Sequence, residues 1–122
     1  MNIDLLLSAS VTKRKTIEVA GQKVICKEPN GIELAEYNRL RQDVYDEKGK
    51  LQYKGNAVLA LATLFKTCVL DENEKIFLSD DQAYALANGP GRVVYPIANA
   101  ILKFTVDDLK NGTAPTDGIS ED

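Results

Sequence analysis

Histidine and tryptophan are absent from this 122-residue chain, and it holds only two cysteines and one methionine. Without histidine, the chain has no Ser-His-Asp triad, no histidine proton relay and no histidine-ligated metal site. The two cysteines, Cys26 and Cys68, are too few for a cysteine-only zinc or iron–sulfur centre. Their apolar neighbours indicate reduced, buried thiols, although a disulfide stays open if their Cα atoms approach within about 7 Å. We therefore expect no enzyme, no cofactor and no metal.

Long apolar runs are also missing. The longest, residues 57–65, is interrupted by Thr63 and is far too short to span a membrane. The first ten residues hold a short apolar run without a basic leader, which does not match a signal peptide. The net charge of −3 and the pI of about 5.0 contrast with the basic excess of nucleic-acid binders. We expect a soluble, cytoplasmic protein that binds neither nucleic acid nor membrane.

The length suits one domain. Local composition divides the chain into a flexible N-terminus over residues 1–12, a single α+β domain over residues 13–110 and a disordered acidic tail over residues 111–122. The domain is predicted to be mostly helical, with an N-terminal β-hairpin followed by about four helices.

The hairpin is predicted from residues 15–27. Ile17 and Val19 alternate with charged residues, as a half-buried strand requires, and Gly21 can adopt the positive φ of a tight turn. An isolated two-stranded hairpin is marginal in water, so it must pack against the helices or pair with another chain. Its exposed edge is one candidate for pairing between copies of the chain.

Four helices are predicted after the hairpin, over residues 32–45, 57–70, 80–87 and 92–104, with a polar loop over residues 46–54. The second is apolar nearly all round, which is typical of a central core helix. Ser79 and Gln82 form a capping box at the start of the third. Gly and Pro then separate the third helix from the fourth.

The last helix carries an apolar stripe at steps of three and four residues. Its members are Val94, Ile97, Ile101 and Phe104. Such a stripe is either part of the core or a surface shared with a partner, and the sequence leaves both interpretations open. We take Val94, Ile97, Ile101 and Phe104 as the candidate partner-binding site.

A series of short motifs follows in a definite order along the chain: Glu28-Pro29-Asn30-Gly31, a helix with Glu36 and Tyr37, Cys68-Val69-Leu70-Asp71-Glu72, Ile76-Phe77-Leu78-Ser79-Asp80-Asp81, and a closing helix with Ala98-Asn99-Ala100-Ile101-Leu102. Over residues 14–110, this order resembles the tail assembly chaperones of long-tailed bacteriophages. The motifs are short and structural rather than catalytic.

The resemblance implies a function and partners. Such a chaperone binds the tape measure protein and keeps it soluble until the tail tube polymerises, when subunits of the tail tube protein displace it. It acts in the cytoplasm of the bacterial host and is absent from the mature virion. Two alternatives stay open: a structural tail-completion or connector protein that is retained in the virion, and an unrelated bacterial interaction domain. Self-association is a further expectation.

Overall fold

The helices and strands of the computed structural model lie within residues 1–9 and 12–104, the part of the chain that the structure describes. The helices are α1 (Ile3–Ala9), α2 (Gly31–Leu40), α3 (Ala57–Cys68), α4 (Asp80–Ala87) and α5 (Gly91–Leu102). The strands are β1 (Arg14–Val19), β2 (Gln22–Lys27), β3 (Val44–Tyr45), β4 (Leu51–Tyr53) and β5 (Val69–Leu70). The predicted α+β class, with an early hairpin followed by helices, is confirmed.

Strands β1 and β2 form the predicted antiparallel hairpin. Its two turn residues, Ala20 and Gly21, both have positive φ, at 52° and 77°. This is the conformation of the tight hairpin turn whose twist matches that of the flanking strands. The sheet is larger than predicted, because β5 pairs with β2 and gives the order β1-β2-β5.

The apolar helix predicted over residues 57–70 ends at Cys68. Val69 lies opposite Cys26 and Leu70 lies opposite Ile25 in the antiparallel β2–β5 ladder. These two residues are apolar enough to continue α3, but the sheet offers their backbone groups distant partners. Pairing with β2 therefore ends the helix at Cys68, because this tertiary contact overrides the local propensity of Val69 and Leu70.

The helix predicted over residues 32–45 is wrong beyond Leu40, and the predicted loop over residues 46–54 contains a strand. Strands β3 and β4 form a second small hairpin. Contacts between distant residues end α2 early: the Tyr53 hydroxyl donates to the carbonyl of Leu40 at 2.8 Å, and the Gly55 N–H donates to Asp43 Oδ1 at 2.8 Å. Gly55 permits this closeness, since a Cβ there would lie 2.5 Å from the Arg41 carbonyl oxygen.

The capping box before α4 is confirmed. Ser79 Oγ accepts the N–H of Gln82 at 3.1 Å, and Gln82 Oε1 accepts the N–H of Ser79 at 2.9 Å. Helix α5 ends at Leu102, two residues earlier than the predicted limit at Phe104. Phe104 therefore lies beyond the helix that was expected to present it.

Helix α3 lies at the centre of the fold, as predicted, and packs against α2, α4, α5 and the sheet. Helix α5 packs against β1 and β2. The largest fully buried side chains come from these central elements: Phe65, Leu64, Ile101, Cys26 and Cys68. The core is thus formed between the inner face of the sheet and the helices α3 and α5.

The two predicted end segments have different outcomes. Within the N-terminus that was expected to be flexible, the structure places α1, which packs against no other helix or strand of the described residues. Its flexibility stays a prediction. The predicted acidic tail over residues 111–122, and residues 105–110 of the predicted domain, lie outside the described residues.

Candidate partner-binding site

The predicted partner-binding stripe is divided by the fold. Val94, Ile97 and Ile101 are 4%, 2% and 0% exposed and belong to the core. Phe104 is half-buried, and the Nζ of Lys15 lies 4.3 Å from the centre of its ring. Burial thus agrees with the core interpretation for the first three residues. Ile97 also lines an open cleft, and binding at this stripe stays a prediction.

An apolar cleft opens between one end of the three-stranded sheet and the helices α4 and α5. Its volume is about 270 Å³. The apolar lining residues are Val19, Ala20, Val24, Val69, Leu70, Phe77, Leu78, Leu86, Val93 and Ile97, and Gln22 and Lys23 add polar groups. We call this the apolar cleft. Its size and lining suit one or two aliphatic or aromatic side chains from another molecule.

The turn before α4 positions Phe77, one of the residues that line the apolar cleft. Asp71 Oδ1 accepts the backbone N–H groups of Asn73 at 2.8 Å and Lys75 at 2.9 Å, and Glu74 takes a positive φ of 62°. The chain then returns so that Ile76 forms an isolated bridge with Leu70. The next residue is Phe77, which is directed to the cleft and held between this bridge and the Ser79 cap.

Phe77 lines the apolar cleft and is nevertheless 52% exposed. Its neighbour Ile76 is 58% exposed. A large, half-exposed apolar side chain that lines an apolar cleft is typical of a surface that another molecule covers. Neither residue was among the predicted site residues, although the apolar step between the charged turn and the capping box was their signal in the sequence.

Two projecting elements expose further apolar side chains. In α1, Ile3, Leu5, Leu6 and Leu7 are each at least 50% exposed. In the β3–β4 hairpin the exposed residues are Val44, Tyr45 and Leu51. Helix α1 packs against no other helix or strand in the described part of the chain, and the β3–β4 hairpin is joined to α2 by the hydrogen bond from Tyr53 to Leu40. The apolar cleft, α1 and the β3–β4 hairpin thus each present apolar side chains on the described surface.

The cysteines do not form a reactive site. Burial raises the pKa of both the Cys26 and the Cys68 thiol to about 11, which keeps them protonated at neutral pH. Both are free thiols.

The described residues contain no cluster of three His, Cys, Asp or Glu side chains that could hold a metal ion. The helices of the described residues are too short or too polar to cross a membrane.

Comparison with known proteins gives one informative result. No protein-family model and no curated protein matches the sequence. Among solved structures, the tail assembly chaperone of bacteriophage HK97 is similar, with a TM-score of 0.53 over 85% of this chain and 100% of that chain. This chain has a tail assembly chaperone-like fold. At 18% sequence identity, the likeness to the HK97 chaperone is one of architecture.

Proposed function

We propose that this protein is a phage tail assembly chaperone, which binds the tape measure protein and keeps it soluble until the tail tube polymerises. The observation that carries the proposal is the fold shared with the HK97 tail assembly chaperone. The order of motifs in the sequence supports it independently. The proposal places the protein in the host cytoplasm, has the tail tube protein displace it, and leaves it out of the mature virion.

The apolar cleft supplies the physical basis for binding. A long amphipathic helix aggregates through its apolar face unless another molecule covers that face. The apolar cleft can accept one or two such side chains, and Phe77 can extend the contact outside it. An interface of this small size releases its partner readily, which suits a chaperone that assembling subunits displace.

Co-expression with the tape measure protein of the same phage tests the proposal. We expect the tape measure protein to be insoluble alone and soluble with this chain, and the two to co-purify. If the tape measure protein stays insoluble and nothing co-purifies, the proposal is contradicted.

Mass spectrometry of purified particles addresses the alternative of a retained tail-completion or connector protein. The chaperone proposal predicts that the chain is abundant in the infected-cell lysate and depleted from mature particles. A fixed copy number in mature particles would instead establish the structural alternative.

A further inference from the structure

Strand β1 is an edge of the three-stranded sheet in the described part of the chain. The N–H of Glu28 donates to the carbonyl of Lys13 at 2.8 Å, which fixes which residues of β1 point their backbone groups at β2. Because these groups alternate along an antiparallel strand, those of Arg14, Thr16 and Glu18 point away from β2. No hydrogen bond to another described residue uses them.

The side chains of Arg14, Thr16 and Glu18 share the outer face of the sheet and are all exposed. An exposed edge of this kind is a template for pairing with another strand. A charged edge rejects most partners, since each charge needs an opposite charge across the new ladder. A strand that pairs with β1 must therefore carry charges opposite to those of Arg14 and Glu18.

A second copy of β1 provides that match. When two identical strands pair antiparallel about a two-fold axis normal to the sheet, both copies keep the same outer face. In this arrangement, every outward N–H and C=O group of the three residues is paired when Thr16 lies opposite Thr16 and Arg14 lies opposite Glu18. Each such pair exchanges two N–H···O=C bonds, so the register forms about six.

This register also matches the charges. It places Arg14 of each copy opposite Glu18 of the other, and the two threonines meet on the axis, which are both favourable cross-strand pairs. Slipping the register by two residues in either direction separates the charged pairs and leaves outward groups unpaired. The intrachain ion pair between Arg14 and Glu74, at 2.7 Å, is solvent-exposed and contributes little that would oppose the new contact.

We propose that β1 pairs with β1 of a second copy about a two-fold axis at Thr16, which joins the two sheets into one. The pairing is self-complementary and closes at a dimer. It leaves the apolar cleft outside the contact, because the cleft is lined by the turn end of the hairpin together with β5, α4 and α5. The inference does not rest on the proposed function.

Charge exchange tests the register by sedimentation velocity on the full chain. We expect the unaltered chain to dimerise, and Arg14→Glu and Glu18→Arg each to weaken self-association about tenfold or more, because both contacts become like-charged. Mixing the two variants restores opposite charges at both contacts, so a heterodimer should form. The double variant R14E/E18R should also regain the homodimer.

Control variants separate this pairing from general damage. Glu74→Gln removes the intrachain partner of Arg14 without altering the edge, and it should leave the dimer intact. Thr16→Pro removes an outward N–H that the hairpin does not use, so it should abolish the dimer while the circular dichroism spectrum is retained. If that variant fails to fold, the mixing experiment still decides.

The proposal is overturned if the unaltered chain is a monomer at its highest soluble concentration. It is also overturned if the single variants self-associate as the unaltered chain does, or if mixing them produces no heterodimer. A monomer that instead captures an extended peptide along β1 would make the edge a site for another protein. Each result is obtained without any phage partner, so it is independent of the chaperone test.

Discussion

Lys27 Nζ donates to both carboxylate oxygens of Glu33, at 2.7 and 3.0 Å, and so joins β2 to the first turn of α2. The same carboxylate accepts the N–H of Asn30 at 2.8 Å and completes the capping box of α2. The Lys27 and Glu33 side chains are 16% and 18% exposed, so water screens their ion pair weakly. One side chain thus fixes both the start of a helix and its attachment to the sheet.

Replacing Glu33 by alanine removes the cap contact and the ion pair together. We expect Glu33→Ala to lower the free energy of unfolding by about 2 kcal/mol, measured by urea denaturation. The control is Glu36→Ala, which breaks only the exposed ion pair with Arg39 and should leave the denaturation midpoint nearly unchanged. Equal effects of the two substitutions would show that Glu33 has no special structural role.

Neighbouring residues at the end of α5 test the core assignment. Ile101 is 0% exposed and Leu102 is 37% exposed. We expect Ile101→Ala to destabilise the protein by about 3 kcal/mol because it leaves a cavity, and Leu102→Ala by less than about 1 kcal/mol. Thermal and urea unfolding measure both. If Ile101→Ala keeps full stability but loses binding to the tape measure protein, the stripe is a partner surface rather than core.

The buried thiols predict a loss of stability in alkaline solution. In the unfolded chain, the pKa of cysteine is about 8.5, and in the folded protein the pKa of Cys26 and Cys68 is raised to about 11. Between these values the unfolded state binds fewer protons, so the free energy of unfolding falls as the pH rises. Below about pH 8.5 the thiols add no pH dependence.

Urea denaturation across this range of pH measures the effect. The control is the C26A/C68A double variant, whose free energy of unfolding should fall less steeply because alanine does not titrate. Identical slopes for the two proteins would contradict the assignment. Ellman's reagent gives a second readout, since the thiols should react slowly in the folded protein and at once in urea.

Phe77 tests the apolar cleft as the site of partner binding. Phe77→Ser removes the exposed ring at the cleft mouth, and we expect at least a tenfold weaker interaction with the tape measure protein and little change in the fold. Leu51→Ser is a matched control, because Leu51 is 50% exposed in the β3–β4 hairpin, away from the cleft. Co-purification and circular dichroism provide the two readouts. Equal losses for both variants would exclude a specific role for the cleft.

Features that depend on neighbouring residues could be predicted from the sequence. The Ser79–Gln82 capping box spans three residues, and the turn at Gly21 joins strands that follow one another. The buried α5 stripe had the helical spacing of a core face, but the spacing alone could not distinguish the core from a partner surface. The structure supplies the burial of Val94, Ile97 and Ile101 that the pattern lacked.

Features that depend on distant residues could not be predicted in this way. Val69 becomes a strand residue because Cys26 lies beside it. Helix α2 ends at Leu40 because the Tyr53 hydroxyl donates to the Leu40 carbonyl and the Gly55 N–H donates to Asp43 in the segment that follows. The apolar cleft is of the same kind. The sequence shows Phe77 as an apolar residue in a short step, but the cleft exists because β2, β5, α4 and α5 meet there.

If the chain is a chaperone of the tape measure protein, it should suppress the aggregation of that protein. The tape measure protein would be diluted from denaturant into buffer with increasing amounts of this chain, and light scattering recorded. We expect the scattering to fall in proportion to the added chain, to level off at a fixed molar ratio, and to rise again more slowly with the unaltered chain than with Phe77→Ser. Scattering no lower than with an equal mass of serum albumin would contradict the chaperone proposal.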